Sequence, residues 1–167
     1  SYTITVTRKE AMEGPESVKW MEADDLEKLQ LEALDAWRPI EDSDKYDPSE
    51  DEILPVVLVY TRKRCGKFKA RAVALGNLQK RTSKSEIYSP TISHCANRVL
   101  LVDAAARSQF VGQFDISNAF VRSSLKSEDR IFLRLPKHWS SDPAGDRVRL
   151  LRSLYGLKCA PRRWYNT

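Results

Sequence analysis

The sequence predicts an α+β domain, and three observations predict it. A β-branched run over residues 53–61, a Cys65-Gly66 turn signal and a second run over 67–75 make a β-hairpin. Apolar residues recur at three- and four-residue spacing over 16–37 and again over 94–107, as they do along helices. Two further alternating runs, Arg130 to Leu135 and Arg147 to Leu154, add strands late in the chain. At 167 residues the chain can bury one real core, so length argues for a single domain.

Taken in order, Tyr2 to Val6 alternates briefly before a Gly14-Pro15 break. In the first helix, Leu26, Leu29, Ala33 and Trp37 form the apolar stripe, with acids between them. Arg38-Pro39 ends it, because proline disfavours the helical state for the residue before it. Glu41 to Glu52 shows no periodicity and is expected to be an exposed, mobile acidic linker. On the second hairpin strand Lys67, Lys69, Arg71 and Val73 share one face, while Phe68, Ala70, Ala72 and Ala74 share the other. Residues 77–92 are polar and irregular, closing on Ser89-Pro90. Ser93 is the expected N-cap of the second helix, which offers Val99, Leu100, Val102 and Ala106 for packing. Phe110 to Phe114 reads as a strand ending at Asp115, followed by a short helical segment through Val121. After the last two strands, Tyr155-Gly156-Leu157 turns, and Pro161 stands near the start of a final helix, where proline is tolerated.

Charge is unevenly placed. Residues 1–52 hold 16 acidic and 6 basic side chains, a net of −10; residues 53–167 hold 7 and 22, a net of +15. A basic body behind an acidic head points to a polyanionic partner, nucleic acid first, although a basic surface without a partner has the same composition. The longest apolar run, Val56 to Tyr60, is too short to span a bilayer, so no membrane association is expected. No signal peptide is visible at Ser1-Tyr2-Thr3-Ile4, and the absence of a starting Met fits a chain cut from something longer. Cys65, Cys95 and Cys159 form no C-x-x-C pair, and adjacent His94 and Cys95 rarely share one ion, so neither a zinc site nor a disulfide framework is indicated. A reducing compartment is the default.

Asp115 is the most informative residue. A carboxylate at a strand tip, followed by small residues and Phe120, suits metal-dependent phosphoryl transfer, which needs at least two carboxylates to hold two ions about 4 Å apart. Taken alone, Asp115 is equally a strand-end helix cap, Phe120 a core ring, and the Lys67/Lys69/Arg71 face a solvated basic surface. Asp24-Asp25, diverging on a helix, and Glu128-Asp129, in a turn, do not supply the second carboxylate.

Collinear blocks change that balance. Lys69-Ala70-Arg71-Ala72-Val73-Ala74-Leu75-Gly76, Tyr88-Ser89-Pro90, Asp115-Ile116-Ser117-Asn118-Ala119-Phe120-Val121 and Ser153-Leu154-Tyr155-Gly156-Leu157-Lys158-Cys159-Ala160-Pro161-Arg162-Arg163-Trp164 together resemble copia-type retrotransposon reverse transcriptases. The segment Val18 to Ala23 also looks like the acidic helix that opens that domain, so the resemblance runs from about Val18 to Tyr165. It implies a partial right-hand polymerase fold: an acidic segment over 1–52, a fingers hairpin and connection over 53–92, and an incomplete antiparallel palm sheet with packed helices over 93–167. Asp115 would be the first metal-binding aspartate, with the Ile116 carbonyl beside it, for Mg2+-dependent nucleotidyl transfer. Lys69 and Arg71 would close over the triphosphate, with Lys63 and Lys67 near them. Asn118 and Ala119 would lie beside the phosphates, Phe120 under the deoxyribose and Tyr155 across the pocket. Arg152, Arg162 and Arg163 would track a nucleic-acid backbone or solvate an edge.

The same resemblance implies an RNA template, a DNA primer, deoxynucleoside triphosphates, the remainder of a polyprotein polymerase as partner, and a cytoplasmic or nuclear location. It places the family's Tyr-x-Asp-Asp hairpin beyond Thr167, so Leu150, Leu154, Leu157 and Trp164 are expected to lack part of their cover. Departures from the family pattern are Leu75 where Lys is usual, Cys159 where Gln is usual, and a shorter fingers turn; the alternative reading is a domesticated or decayed remnant acting as a nucleic-acid-binding or structural subunit.

Overall fold

The computed structural model describes residues 4–47, 49, 51–79, 87, 89–126, 129–142 and 145–167. Tyr2, Tyr88 and Glu128 of the sequence reading lie outside the described residues. Six strands, β1 (Ile4–Val6), β2 (Trp37–Pro39), β3 (Ile53–Arg62), β4 (Phe68–Ala74), β5 (Phe132–Arg134) and β6 (Arg147–Leu150), form one sheet. The described helices are α1 (Arg8–Glu13), α2 (Ser17–Glu32), α3 (His94–Ala106), α4 (Ala119–Arg122) and α5 (Ala160–Tyr165).

The hairpin is as expected. Val56 to Arg62 of β3 pair antiparallel with Phe68 to Ala74 of β4, and Gly66 turns the chain at φ 82°. Ala70, Ala72 and Ala74 are buried on one face of β4. Beyond the hairpin the sheet is mixed rather than the antiparallel palm sheet expected. Ile53 to Pro55 run parallel to β5, and β5, β6 and β2 continue antiparallel. The hairpin strand β3 thus belongs to the same sheet as the later strands, because its first three residues outrun β4 and pair elsewhere.

The first helix differs from its expected form in two ways. It stops at Glu32; Asp35 takes a left-handed φ of 48°, and Trp37 enters β2 opposite Leu150. Its buried face is Trp20, Asp24, Glu27 and Leu31, while Leu26 and Leu29 are exposed. The acids go inside because donors meet them there. Asp24 accepts from the Tyr60 hydroxyl at 2.5 Å, Trp139 Nε1 at 2.6 Å and His138 Nε2 at 2.9 Å. Buried carboxylates persist when they are hydrogen-bonded in this way.

The acidic linker is anchored rather than mobile. Asp44 is 3% exposed; Arg38 holds it through two bonds of 2.7 Å and Arg149 through one of 2.6 Å. Tyr46 packs edge-on against Phe132, and Asp51 pairs with Arg130.

The main core joins Leu31, Leu54, Val56, Val121, Leu133, Trp139, Val148, Leu150, Leu154 and Leu157. Leu150, Leu154 and Leu157 are therefore covered, contrary to expectation, and Trp164 is half-buried. The uncovered surface lies elsewhere. Ser93 caps α3 as expected, accepting from Ala96 N at 3.1 Å, yet no residue of α3 is buried. Val99, Leu100, Leu101 and Val102 are 48–69% exposed, and Phe110 and Phe114 more so. Phe110 to Phe114 form no strand, because among the described strands none pairs with them.

Candidate nucleotide site

Two glycines decide how the hairpin meets the final turn. A Cβ on Gly76 would stand 2.1 Å from the Gly156 carbonyl oxygen, and one on Gly156 would stand 2.1 Å from that of Ala74. No side chain fits either position, and Gly156 also has a left-handed φ of 89°. The close approach brings Tyr155 alongside β4: Val73 bridges Tyr155, and Ala74 N donates to the Tyr155 carbonyl at 2.8 Å. Beside it, Lys158 N donates to Gln79 Oε1 at 3.0 Å.

Tyr155 is where the candidate residues converge. Its ring meets Phe120 edge-on at 5.1 Å. Burial raises its hydroxyl pKa above the ordinary value; Arg71 opposes the rise, while Glu27 and Asp115 add to it. Three stretches far apart in sequence thus act on one phenol: Phe120 by ring contact, and Arg71 and Asp115 through their charges. Asp115 and Ile116 are exposed, in a segment without regular structure. The segment ends at Asn118, whose φ is 54°, a left-handed value that asparagine tolerates better than most residues. Ala119 and Phe120 then open α4, both half-buried, with Phe120 packed against the main core.

On β4, Lys69 and Arg71 share a half-buried face. The Lys69 pKa is lowered, first by burial and then by Arg71, with Lys63 and Lys67 adding to the repulsion and Glu27 opposing it. Lys63 and Lys67 are exposed at the hairpin turn, where Lys63 N donates to the Lys67 carbonyl at 2.9 Å.

The other basic candidates sit apart. Arg152 donates to the Leu34 carbonyl at 3.0 Å and to Ser124 Oγ at 3.1 Å. Arg163 pairs with Asp129 at 2.7 Å. These two guanidiniums bond the protein's own acceptors. Arg162 lies over the Tyr165 ring at 5.5 Å.

Sequence reasoning missed Glu27 and Gln30 of α2. Glu27, 3% exposed, accepts from Ala72 N at 3.0 Å; burial raises its pKa, against the pull of that bond and of Lys69 and Arg71. Gln30 accepts from Asn118 Nδ2 at 3.2 Å. Neither residue carries a motif, and an acid on a helix reads as solvent-facing.

A sequence profile described as reverse transcriptase (RNA-dependent DNA polymerase) matches residues 44–167. The chain belongs to the reverse transcriptase family. The Ty1-DR5 and Ty1-DR1 transposon Gag-Pol polyproteins of Saccharomyces cerevisiae are each 34% identical to it over 159 residues, 91% of this chain. The copia-type assignment made on motifs therefore holds, and the chain is a reverse transcriptase fragment that spans 8% of the length of those curated relatives. No solved structure matches.

Reverse transcriptases generally use divalent metal ions, and the described donors of this chain do not by themselves make such a site. Among the described residues no group of three or more His, Cys, Asp or Glu is arranged to hold a metal. Asp115 is one exposed carboxylate, and Glu27 is committed to the Ala72 amide. No described helix is long and apolar enough to cross a membrane.

Proposed function

We propose that this chain forms the fingers and first half of the palm of an RNA-directed DNA polymerase and binds the incoming deoxynucleoside triphosphate. The observation that supports this is the Phe120–Tyr155 ring contact at 5.1 Å, with Tyr155 bridged to β4 at Val73 and the charges of Arg71 and Asp115 both acting on its hydroxyl. Lys69 and Arg71 face the triphosphate as cationic donors, the kind of group that stabilises charge developing on phosphate. Asn118 and Ala119 flank the phosphates. Phe120 underlies the sugar, where its ring rejects a 2′-hydroxyl, and Tyr155 closes the far side. Lys63, Lys67, Arg152, Arg162 and Arg163 are the basic groups for an RNA template and DNA primer. Residues 53–92 serve as fingers, 93–167 as palm, and 1–52 as an acidic segment braced against both. Asp115 and the Ile116 carbonyl contribute to magnesium binding only together with carboxylates from the remainder of the polyprotein polymerase. A cytoplasmic or nuclear location belongs to the same proposal.

The test is equilibrium binding of dATP and ATP, as sodium salts, to the purified chain. The wild type should prefer dATP, and Phe120→Ala should reduce that preference by about tenfold, the size of one lost pocket contact. An unchanged preference in Phe120→Ala, or none in the wild type, would sink the reading.

A further inference from the structure

We propose that α2 is the positioning element of the candidate nucleotide site, with Glu27 fixing its cationic wall and Gln30 fixing its Asp115 wall. This inference rests on the function proposed above and deepens it. Both residues precede the stretch matched by the family profile, which starts at residue 44. They stand three positions apart on one helix, so they share a side, with Cβ atoms roughly 5–6 Å apart.

Each holds a different wall. Glu27 accepts from Ala72 N at 3.0 Å, on the backbone between Arg71 and Val73. That bond satisfies an outward-facing amide of β4, whose one partner among the described strands is β3. An open edge would leave the amide unpaired, and the cations on either side of it free to shift. Gln30 accepts from Asn118 Nδ2 at 3.2 Å. Asn118 is the left-handed corner between Asp115 and Phe120, so this tether acts where the second wall turns. One stretch of helix therefore spans the gap between cations and carboxylate. Helix geometry sets that gap, at about 1.5 Å of rise per residue, where loops alone would leave it soft. The Glu27 carboxylate also acts on Lys69 and Arg71, with Asp24 as the other acid acting on it. What Glu27 fixes is therefore where the cations stand relative to the Asp115 wall, a spacing that matters to a ligand touching both walls.

A two-ligand comparison tests this. dATP touches both walls, whereas inorganic tripolyphosphate touches only the cations. Glu27→Ala and Gln30→Ala should each weaken dATP binding about fivefold to tenfold, the equivalent of one net hydrogen bond. Tripolyphosphate binding should stay within about twofold of wild type, or tighten in Glu27→Ala as a nearby negative charge is removed. Glu27→Gln keeps an acceptor for Ala72 N and should bind dATP within about twofold of wild type. Equal weakening of both ligands would mean a general fold defect and would overturn the proposal. So would unchanged dATP binding, or Glu27→Gln behaving like Glu27→Ala. A wild-type chain that binds tripolyphosphate but not dATP would instead refute the proposed function itself, and this inference with it.

Discussion

Leu154 and Leu100 are both leucines in regions where the sequence asks for core, yet the structure gives them opposite surroundings. Leu154 is fully buried in the main cluster; Leu100 is 59% exposed on α3. Leu154→Ala should cost about 2–5 kcal/mol, because a buried leucine loses both transfer free energy and the contacts around the cavity it leaves. For a chain of this size each kcal/mol lowers Tm by about 2–4 °C, so the expected drop is roughly 4–20 °C. Leu100→Ala should fall within about ±0.5 kcal/mol, a shift of no more than about 2 °C. Val102→Ala, at 69% exposure, should be neutral or slightly stabilising, since alanine is the better helix former. Thermal unfolding followed by the fluorescence of the four tryptophans reads all three variants. Amide exchange adds a second readout: residues 147–157 should be protected, and 98–116 should exchange early. If Leu100→Ala lowered Tm as far as Leu154→Ala does, α3 would be packed in solution and the exposure reasoning would be refuted.

Three further outcomes are expected. Asp44→Asn should destabilise the chain by about 2–3 kcal/mol at neutral pH, because it removes a buried charge-assisted acceptor. The guanidiniums of Arg38 and Arg149 hold the Asp44 carboxyl below its unfolded value, so this contribution is present above about pH 5 and is lost as pH falls through the depressed value; a pH–stability profile with the same acid limb in Asp44→Asn would disprove it. Nucleic-acid binding should be sequence-tolerant and should weaken steeply between low and moderate salt, and reversing Lys69 and Arg71 together should weaken it on every sequence; salt-independent affinity would remove the electrostatic basis drawn from the +15 balance of residues 53–167. The chain alone should extend no primer with magnesium and all four deoxynucleotides, since Asp115 by itself does not position two ions; extension that disappears in Asp115→Asn would show that another carboxylate completes the site.

What the sequence conveyed follows from the range over which each signal acts. The β3–β4 hairpin was legible because alternation and the Cys65-Gly66 turn are local, and so was the Ser93 cap. The buried face of α2 was not. Its acids are satisfied by Tyr60, His138 and Trp139, which lie 36, 114 and 115 positions away, and composition treats such acids as solvent-facing. The anchoring of Asp44 by Arg149, 105 positions on, was hidden for the same reason. Periodicity showed that α3 has apolar residues but not what covers them. At the site, the motif blocks supplied the residue types, while their meeting at Tyr155 depends on Gly76 and Gly156 touching.

The two walls of the candidate site are held very differently. The cationic wall is braced from several directions: β4 lies on β3, Glu27 bonds the Ala72 amide, and the Gly76–Gly156 approach pins its end. On the opposite wall, Asp115 follows directly on Phe114, an 85% exposed ring in a segment whose described residues form no strand or helix between α3 and α4. Apart from the Gln30–Asn118 bond, this wall has few contacts to resist local opening. Each large apolar side chain left in water forgoes about 1.5–3 kcal/mol of burial, and Leu100, Val102, Phe110 and Phe114 all do so. A surface that covered these residues would also fix Phe114, and with it the neighbouring Asp115. Under the function proposed above, covering those residues and positioning Asp115 would be one event, driven by apolar burial, and Asp115 would stay loosely placed until it occurred.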